Sequence, residues 1–262
     1  MLQLENIHVT FNADTASEVR ALQALSLNVA NGEFVTVIGA NGAGKSTLFN
    51  VIAGTTTPER GKIWLNDMDI RDWPEHRRST HIGRVFQNPA LGTCPGLTVL
   101  ENLALADRRG KKRGLRQAIK PQDRDRFAAL LAPIGMGLED RLDADVALLS
   151  GGQRQAITLM MATLSKPDLL LLDEHTAALD PNAAGATIDL TVRLAQEYKL
   201  TVIMITHSMA QATMVGQRVV MMNRGAVLFE VSGEEKRNLT VSELVERFRA
   251  LKTEVADRTM LE

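Results

Sequence analysis

Phe34-Val-Thr-Val-Ile38-Gly39-Ala-Asn41-Gly42-Ala-Gly44-Lys45-Ser46-Thr47 is the stretch on which the reading of the fold turns. Phe34–Ile38 is a short β-branched run that predicts a buried strand ending at Gly39, and Lys45–Ala53 has helical composition and stops at Gly54. Between them Gly39–Ser46 fits G-x-x-x-x-G-K-[ST] in the strand–loop–helix setting that the motif requires. Gly39, Gly42 and Gly44, with Asn41 in the same loop, let backbone N–H groups turn inward around phosphate oxygens. The helix N-terminus adds positive potential. Lys45 reaches the terminal phosphates, the Ser46 hydroxyl suits Mg²⁺, and Thr47 continues the contacts of the helix start. The pattern arises by accident in roughly one in a hundred chains of this length, and its setting lowers that further. The stretch therefore predicts binding of a nucleoside triphosphate.

Two further segments extend this site. Leu169–Leu172 is an apolar strand ending in Asp173-Glu174, and ligands of parallel sheets bind at the carboxyl ends of strands. Asp173 is suited to holding Mg²⁺, directly or through water. Strand alternation then places Glu174 on the other face, where it can polarise a water for in-line attack on the γ-phosphate. An Asp-Glu pair alone is usually a polar strand end; a phosphate loop upstream reverses that reading. Leu149-Ser150-Gly151-Gly152-Gln153 fits S-x-x-Q, a capping box that starts a helix. The same residues offer bare glycine amides and a hydroxyl at a helix N-terminus, which is an anion site. A chain holding one nucleotide has no obvious need of a second.

The phosphate loop, LSGGQ and LLLLDE together resemble the ATP-binding cassette (ABC) family, and the resemblance runs from about Leu2 to Phe248. It implies an α/β fold: a P-loop NTPase (RecA-like) core with an N-terminal antiparallel β subdomain and an inserted α-helical subdomain at about 88–148. These make one domain over 1–235, followed by a helical tail over 236–262. It also implies that Ser150, Gly151, Gly152 and Gln153 of one subunit complete the ATP site of another, in a head-to-tail homodimer holding two ATP. Gln87 resembles the glutamine that senses Mg²⁺ and the attacking water, so that Ser46, Gln87 and Asp173 form the implied metal set. Asp180 resembles the aspartate that reaches across the dimer, and His207 the switch histidine near the γ-phosphate. With Lys45, Gln87 and Glu174, His207 completes the implied catalytic set, with ATP and Mg²⁺ as cofactors. Phe11 resembles the aromatic that stacks on adenine, with Val19 beside it, although Phe11 equally fits as a core strand residue. One departure stands out: the family usually has proline where this chain has His175. With Asp173, Glu174 and Asp180 all in place, His175 reads as a bystander.

The rest of the chain fits around these motifs. Leu2, Leu4, Ile7, Val9 and Phe11, then Leu22, Leu25, Leu27 and Val29, alternate with polar residues and predict antiparallel strands joined by a long connection, Asn12–Arg20. Asn31-Gly32 is a turn signal. Lys62–Leu65 and Ile70 predict a hairpin around Asn66-Asp67, and Ile82–Phe86 a strand ending at Gln87. From Asn88 to about Leu148 the character is helical. Thr98-Val-Leu-Glu101 is a capping box before an apolar face of Leu100, Leu103 and Leu105, and Phe127–Leu131 is a helix. Helices follow over Ser150–Ser165 and from Asp180-Pro181, with Asp as N-cap and Pro at the first helical position. Val202–Ile205 is a strand. Val219–Met222 and Val227–Phe229 form a hairpin turned at Asn223-Arg224-Gly225, and Thr240-Val-Ser-Glu243 caps a last helix. Strand–helix alternation means α/β with a mainly parallel sheet.

Composition bounds the function. The chain has 262 residues, 45% hydrophobic, with a formal net charge of -1 and a single cysteine, Cys94. A disulfide scaffold or zinc framework is excluded, and near-neutral charge argues against nucleic-acid binding by bulk electrostatics. No apolar run approaches the roughly 18 residues of a membrane span, and the N-terminus lacks the features of a secretory signal. The basic stretch Arg108–Lys120 reads as a solvated loop and helix face, in preference to a site for anionic headgroups or a partner. The resemblance then implies a peripheral subunit at the cytoplasmic face of the inner membrane. Its expected partners are integral permease subunits docking on Asn88–Leu105 and an extracytoplasmic solute-binding protein. The implied work is import of a small solute, of amino-acid type. The alternatives are a soluble assembly scaffold, or a subunit of a lipid or export system. Two-cassette translation factors and repair ATPases with long coiled coils do not fit one cassette with so short an interval between Gln87 and Leu149.

Overall fold

The computed structural model describes residues 1–111, 117 and 119–259, with side chains described to residue 250. The elements in chain order are β1 (Leu2–Phe11), β2 (Val19–Val29), β3 (Phe34–Gly39), α1 (Lys45–Ala53), β4 (Arg60–Leu65), β5 (Met68–Asp69), α2 (Glu75–Arg78) and β6 (Ile82–Val85). They continue with α3 (Val99–Asp107), α4 (Pro121–Leu131), α5 (Gly151–Thr163), β7 (Leu169–Asp173), α6 (Pro181–Glu197), β8 (Thr201–Ile205) and α7 (Met209–Met214). The chain closes with β9 (Arg218–Asn223), β10 (Ala226–Ser232), α8 (Gly233–Asn238) and α9 (Val241–Thr259).

Two sheets form. The first is antiparallel, in the order β2-β1-β4-β5. The second, in the order β10-β9-β3-β8-β7-β6, is parallel throughout except for the edge strand β10. Its central strands read as unbroken apolar runs because both faces are covered: Leu169–Leu172 and Val202–Ile205 are all buried. The strands β6, β7, β8 and β3 therefore end together at one edge, and that edge carries Gln87, Asp173, His207 and the glycine loop.

The phosphate-loop helix α1 is sealed at its far end by a buried cation. Arg78 is 1% exposed and donates to the carbonyls of Val51 at 2.7 Å, Ile52 at 3.0 Å, Arg71 at 2.7 Å and Trp73 at 3.0 Å. Val51 and Ile52 lie in the last turn of α1, where carbonyls lack helical partners and the helix dipole favours a positive charge. Gly54 is required beside it: its φ is +87°, and a Cβ there would lie 2.8 Å from Arg78 Nε.

The block between Gln87 and Leu149 holds α3, α4 and several single 3₁₀ turns. The capping box of α3 forms, with Thr98 N–H donating to Glu101 Oε2 at 2.7 Å and Glu101 N–H to Thr98 Oγ1 at 3.2 Å. Its apolar face differs from the expected Leu100, Leu103 and Leu105. Leu103 is buried and Leu100 partly so, but Leu105 is 51% exposed. The buried stripe runs through Val99, Leu103 and Ala106 at helical spacing, and Leu105 falls outside it. Residues 112–116 and 118 of the basic stretch lie outside the described residues. Leu239, between α8 and α9, and Leu244 and Phe248 of α9 pack against Ala212, Val219 and Met221. Among the described residues no helix is long and apolar enough to cross a membrane.

Candidate active site

The glycine loop closes tightly between β3 and α1. Gly42 and Gly44 have φ of +77° and +96°, and a Cβ on Gly44 would lie 2.5 Å from the Ala21 carbonyl. Asn41 and Ser46 are exposed along the loop and Thr47 is half-buried. Lys45 is 6% exposed, and its ammonium donates to the carbonyls of Gly39 at 2.9 Å and Ala40 at 3.0 Å. Burial lowers its pKa, against the pull of Glu174 and Asp173.

The loop forms one wall of a cleft of about 290 Å³. The same cleft is lined by Phe11 and Val19 from the antiparallel sheet and by Glu174 and His207. Phe11 is 41% exposed and Val19 54%, so Phe11 is not a core residue; at the end of β1 it faces the cleft.

Glu174 reaches this cleft by a route that strand alternation does not describe. β7 ends at Asp173, and Glu174 takes a left-handed φ of +46°. Its N–H donates to the Ile205 carbonyl at 3.0 Å, tying the ends of β7 and β8. The turn, and not the pleat, separates the two carboxylates. Glu174 Oε1 lies 2.5 Å from His207 Nε2.

Asp173 instead lines an adjoining groove of about 740 Å³ with Gln87, Asn50 and Arg84. Arg84 was not singled out by sequence. Its Nη2 donates to Asn50 Oδ1 at 2.9 Å and lies 3.5 Å from Asp173 Oδ2, and its guanidinium sits over the Phe86 ring at 4.8 Å. Burial raises the pKa of Asp173, opposed by Arg84, Lys45 and His207. The signal was present in Ile82-Gly-Arg-Val85: a lone cation inside an apolar strand needs a partner.

The remaining candidates lie apart from the cleft. Ser150 and Gly151 are exposed at the start of α5, where Gln153 N–H donates to Ser150 Oγ at 3.2 Å. The Gln153 amide is turned inward: its Oε1 accepts from Arg141 Nη1 at 3.0 Å and its Nε2 donates to the Met136 carbonyl at 3.0 Å. Gly152 is buried against α6, where a Cβ would lie 2.9 Å from Ala183 Cβ. Asp180 is the exposed N-cap of α6, accepting from Asn182 N–H at 3.1 Å and Ala183 N–H at 3.0 Å. His175 is buried and turned away, with Nε2 3.1 Å from Thr191 Oγ1. The Thr191 hydroxyl donates to the Thr187 carbonyl at 2.8 Å, so its oxygen accepts from a neutral Nε2–H imidazole. Burial holds the His175 pKa down at about 4.

Known proteins resemble this chain. The family described as ABC transporter matches residues 22–177. The tyrosine transport ATP-binding protein of Clostridioides difficile is 42% identical over 95% of this chain and 98% of its own length. Methionine import ATP-binding protein MetN 4 of Oceanobacillus iheyensis is 36% identical over 88% of this chain, which spans 64% of that protein. Among solved structures, the dimeric post-hydrolysis state of the ATP-binding cassette MJ0796 bound to ADP and Pi superposes with a TM-score of 0.76. It has 30% identity and covers 88% of this chain and 98% of that one. The glycine loop, the strand-end carboxylates and a family match over more than half of the chain therefore agree: the chain belongs to the ABC transporter family, as an ATP-binding cassette whose ATPase activity is coupled to transport.

Proposed function

We propose that this chain is the ATP-hydrolysing subunit of an importer for a small solute of amino-acid type. It works as a head-to-tail pair of identical copies under separate permease subunits, peripheral to the cytoplasmic face of the inner membrane, with an extracytoplasmic solute-binding protein delivering the solute. One cassette occupies residues 1–235, with its helical part at about 88–148, and 236–262 form a tail. The observation that carries the reading is the 2.5 Å contact of Glu174 with His207 inside the cleft walled by the glycine loop. The tyrosine transport relative, matched over almost its full length, supports the solute class.

In this reading Lys45 and the loop amides hold the terminal phosphates, and Phe11 and Val19 flank the base. Glu174 takes the proton of the attacking water and His207 orients the pair. Phosphoryl transfer asks mainly for positioning and charge neutralisation, and a buried ammonium beside the cleft supplies both. The Ser46 hydroxyl, Asp173 carboxylate and Gln87 amide are hard oxygen donors of the kind that suit Mg²⁺, which when bound would neutralise phosphate charge. The groove beside Gln87, bordered by the exposed Leu91, is the docking surface for the permease.

The direct test is Glu174→Gln. The variant should bind ATP and accumulate as an ATP-bound dimer on size exclusion, with hydrolysis reduced at least about a hundredfold. Hydrolysis at the wild-type rate removes Glu174 as the base.

A further inference from the structure

Past Asp173 and Ile205 the two central strands have left the sheet, yet the side chains that follow them must meet at 2.5 Å. Two threonine hydroxyls flank that meeting point. Thr206, 4% exposed, precedes His207, and Thr176, 8% exposed, follows Glu174 by two residues. One side chain joins them. Thr206 Oγ1 donates to Gln211 Oε1 at 2.6 Å, and Gln211 Nε2 donates to Thr176 Oγ1 at 3.0 Å. Thr206 Oγ1 also accepts the Ser208 N–H at 3.1 Å, and Ser208 Oγ accepts the Gln211 N–H at 3.2 Å, which caps α7.

We propose that Gln211 is a positioning residue for ATP hydrolysis, a clamp across the ends of β7 and β8 that holds Glu174 and His207 in register. The inference rests on reading Glu174 and His207 as the groups that act on the water. A carboxamide accepts at one end and donates at the other, so it orients both hydroxyls at once. The Glu174 backbone needs such a tie, because it sits at a left-handed φ that an unconstrained glutamate rarely keeps. The clamp is itself anchored. Ala212 is fully buried against residues of β10 and α9. The buried Lys236 ammonium of α8 donates to the Thr213 carbonyl at 2.6 Å, at the end of α7 where the helix dipole favours a cation. The C-terminal helices thus hold the short helix that holds the catalytic pair.

The experiment measures steady-state ATPase kinetics and nucleotide binding of the full chain for Gln211→Met, Gln211→Glu and His207→Ala. Gln211→Met keeps the length of the side chain and removes both hydrogen bonds. Gln211→Glu keeps two acceptors, to which both threonine hydroxyls can donate. The clamp predicts that Gln211→Met lowers kcat about tenfold with KM for ATP within about twofold, and that Gln211→Glu returns kcat to within about threefold of wild type. Thr176→Val, which cuts one arm and leaves α7 capped, should give an intermediate kcat with unchanged ATP affinity; this keeps the test decisive if Gln211→Met unfolds. An unchanged kcat in Gln211→Met or Thr176→Val overturns the clamp, as does a Gln211→Glu variant as slow as Gln211→Met. Wild-type kcat in His207→Ala fails the underlying reading of the pair instead, and is distinguishable because the Gln211 variants are scored separately.

Discussion

Arg84 and Asp173 form an ion pair across neighbouring strands, with Nη2 3.5 Å from Oδ2. The same nitrogen reaches Asn50 on the phosphate-loop helix, so one guanidinium joins α1, β6 and β7 at the carboxylate expected to face the metal. Burial pushes the Asp173 carboxyl toward its neutral form, and Arg84 leads the groups that pull it back. Arg84→Met should therefore lower kcat about tenfold while ATP binding without added Mg²⁺ stays at the wild-type level. Arg84→Lys should fall between, because a single ammonium cannot reproduce the planar fork. ATPase rates beside nucleotide binding in EDTA check this. Wild-type kcat in Arg84→Met would leave the pair with no part in hydrolysis.

Ser150 and Gly151 stand exposed outside the cleft that holds Lys45 and Glu174. Among the described residues Ser150 caps the start of α5, and the proposed function has these two residues complete the site of a second copy. Ser150→Arg puts a long cation where a phosphate of the partner's nucleotide is to approach, and it removes the hydroxyl that caps α5. The expected result is loss of ATPase activity by at least about a hundredfold, with nucleotide affinity of the single subunit unchanged. Equal loss of both, measured by titration with a fluorescent nucleotide, would argue against a composite site.

Where the sequence was legible, a local rule was enough. The glycine loop needs left-handed φ values and a following helix, and Thr98, Ser150 and Thr240 each cap a helix by a pattern confined to four residues. Asp180-Pro181 announced α6 in the same way. Long-range partners were not legible. Nothing within the strand Ile82–Val85 names Asn50 or Asp173 as the acceptors of Arg84, and nothing near Gln211 names Thr176. Glu174 lines the cleft of the glycine loop for a reason other than strand alternation: alternation holds inside a strand, and the chain has already turned at Glu174. Leu105 departs from the expected apolar face because two residues past the buried Leu103 is more than half a helical turn, which carries its side chain round to solvent. His175, read as a bystander to the chemistry, lies turned toward Thr191, away from the cleft.

That burial gives His175 a consequence of its own for stability. In the folded chain its pKa is held at about 4, against 6.5 for the free imidazole, because a charge there would lose its solvation. The unfolded chain takes up this proton first as pH falls, so between pH 6.5 and 4 the unfolded state binds more protons and stability rises with pH. The contribution is present in full above 6.5 and is lost as pH falls through 4. Lowering the pH from about 7 to about 4.5 should cost the wild type about 2 kcal/mol through this one group. His175→Leu fills the site with an apolar side chain and removes the titration, at the loss of one hydrogen bond to Thr191 that is the same at every pH. Urea unfolding of both proteins across this range gives the test. On acidification the wild-type curve should fall about 2 kcal/mol further than that of His175→Leu, whatever their offset at pH 7, and curves that stay parallel would mean that His175 does not remain neutral in the folded chain.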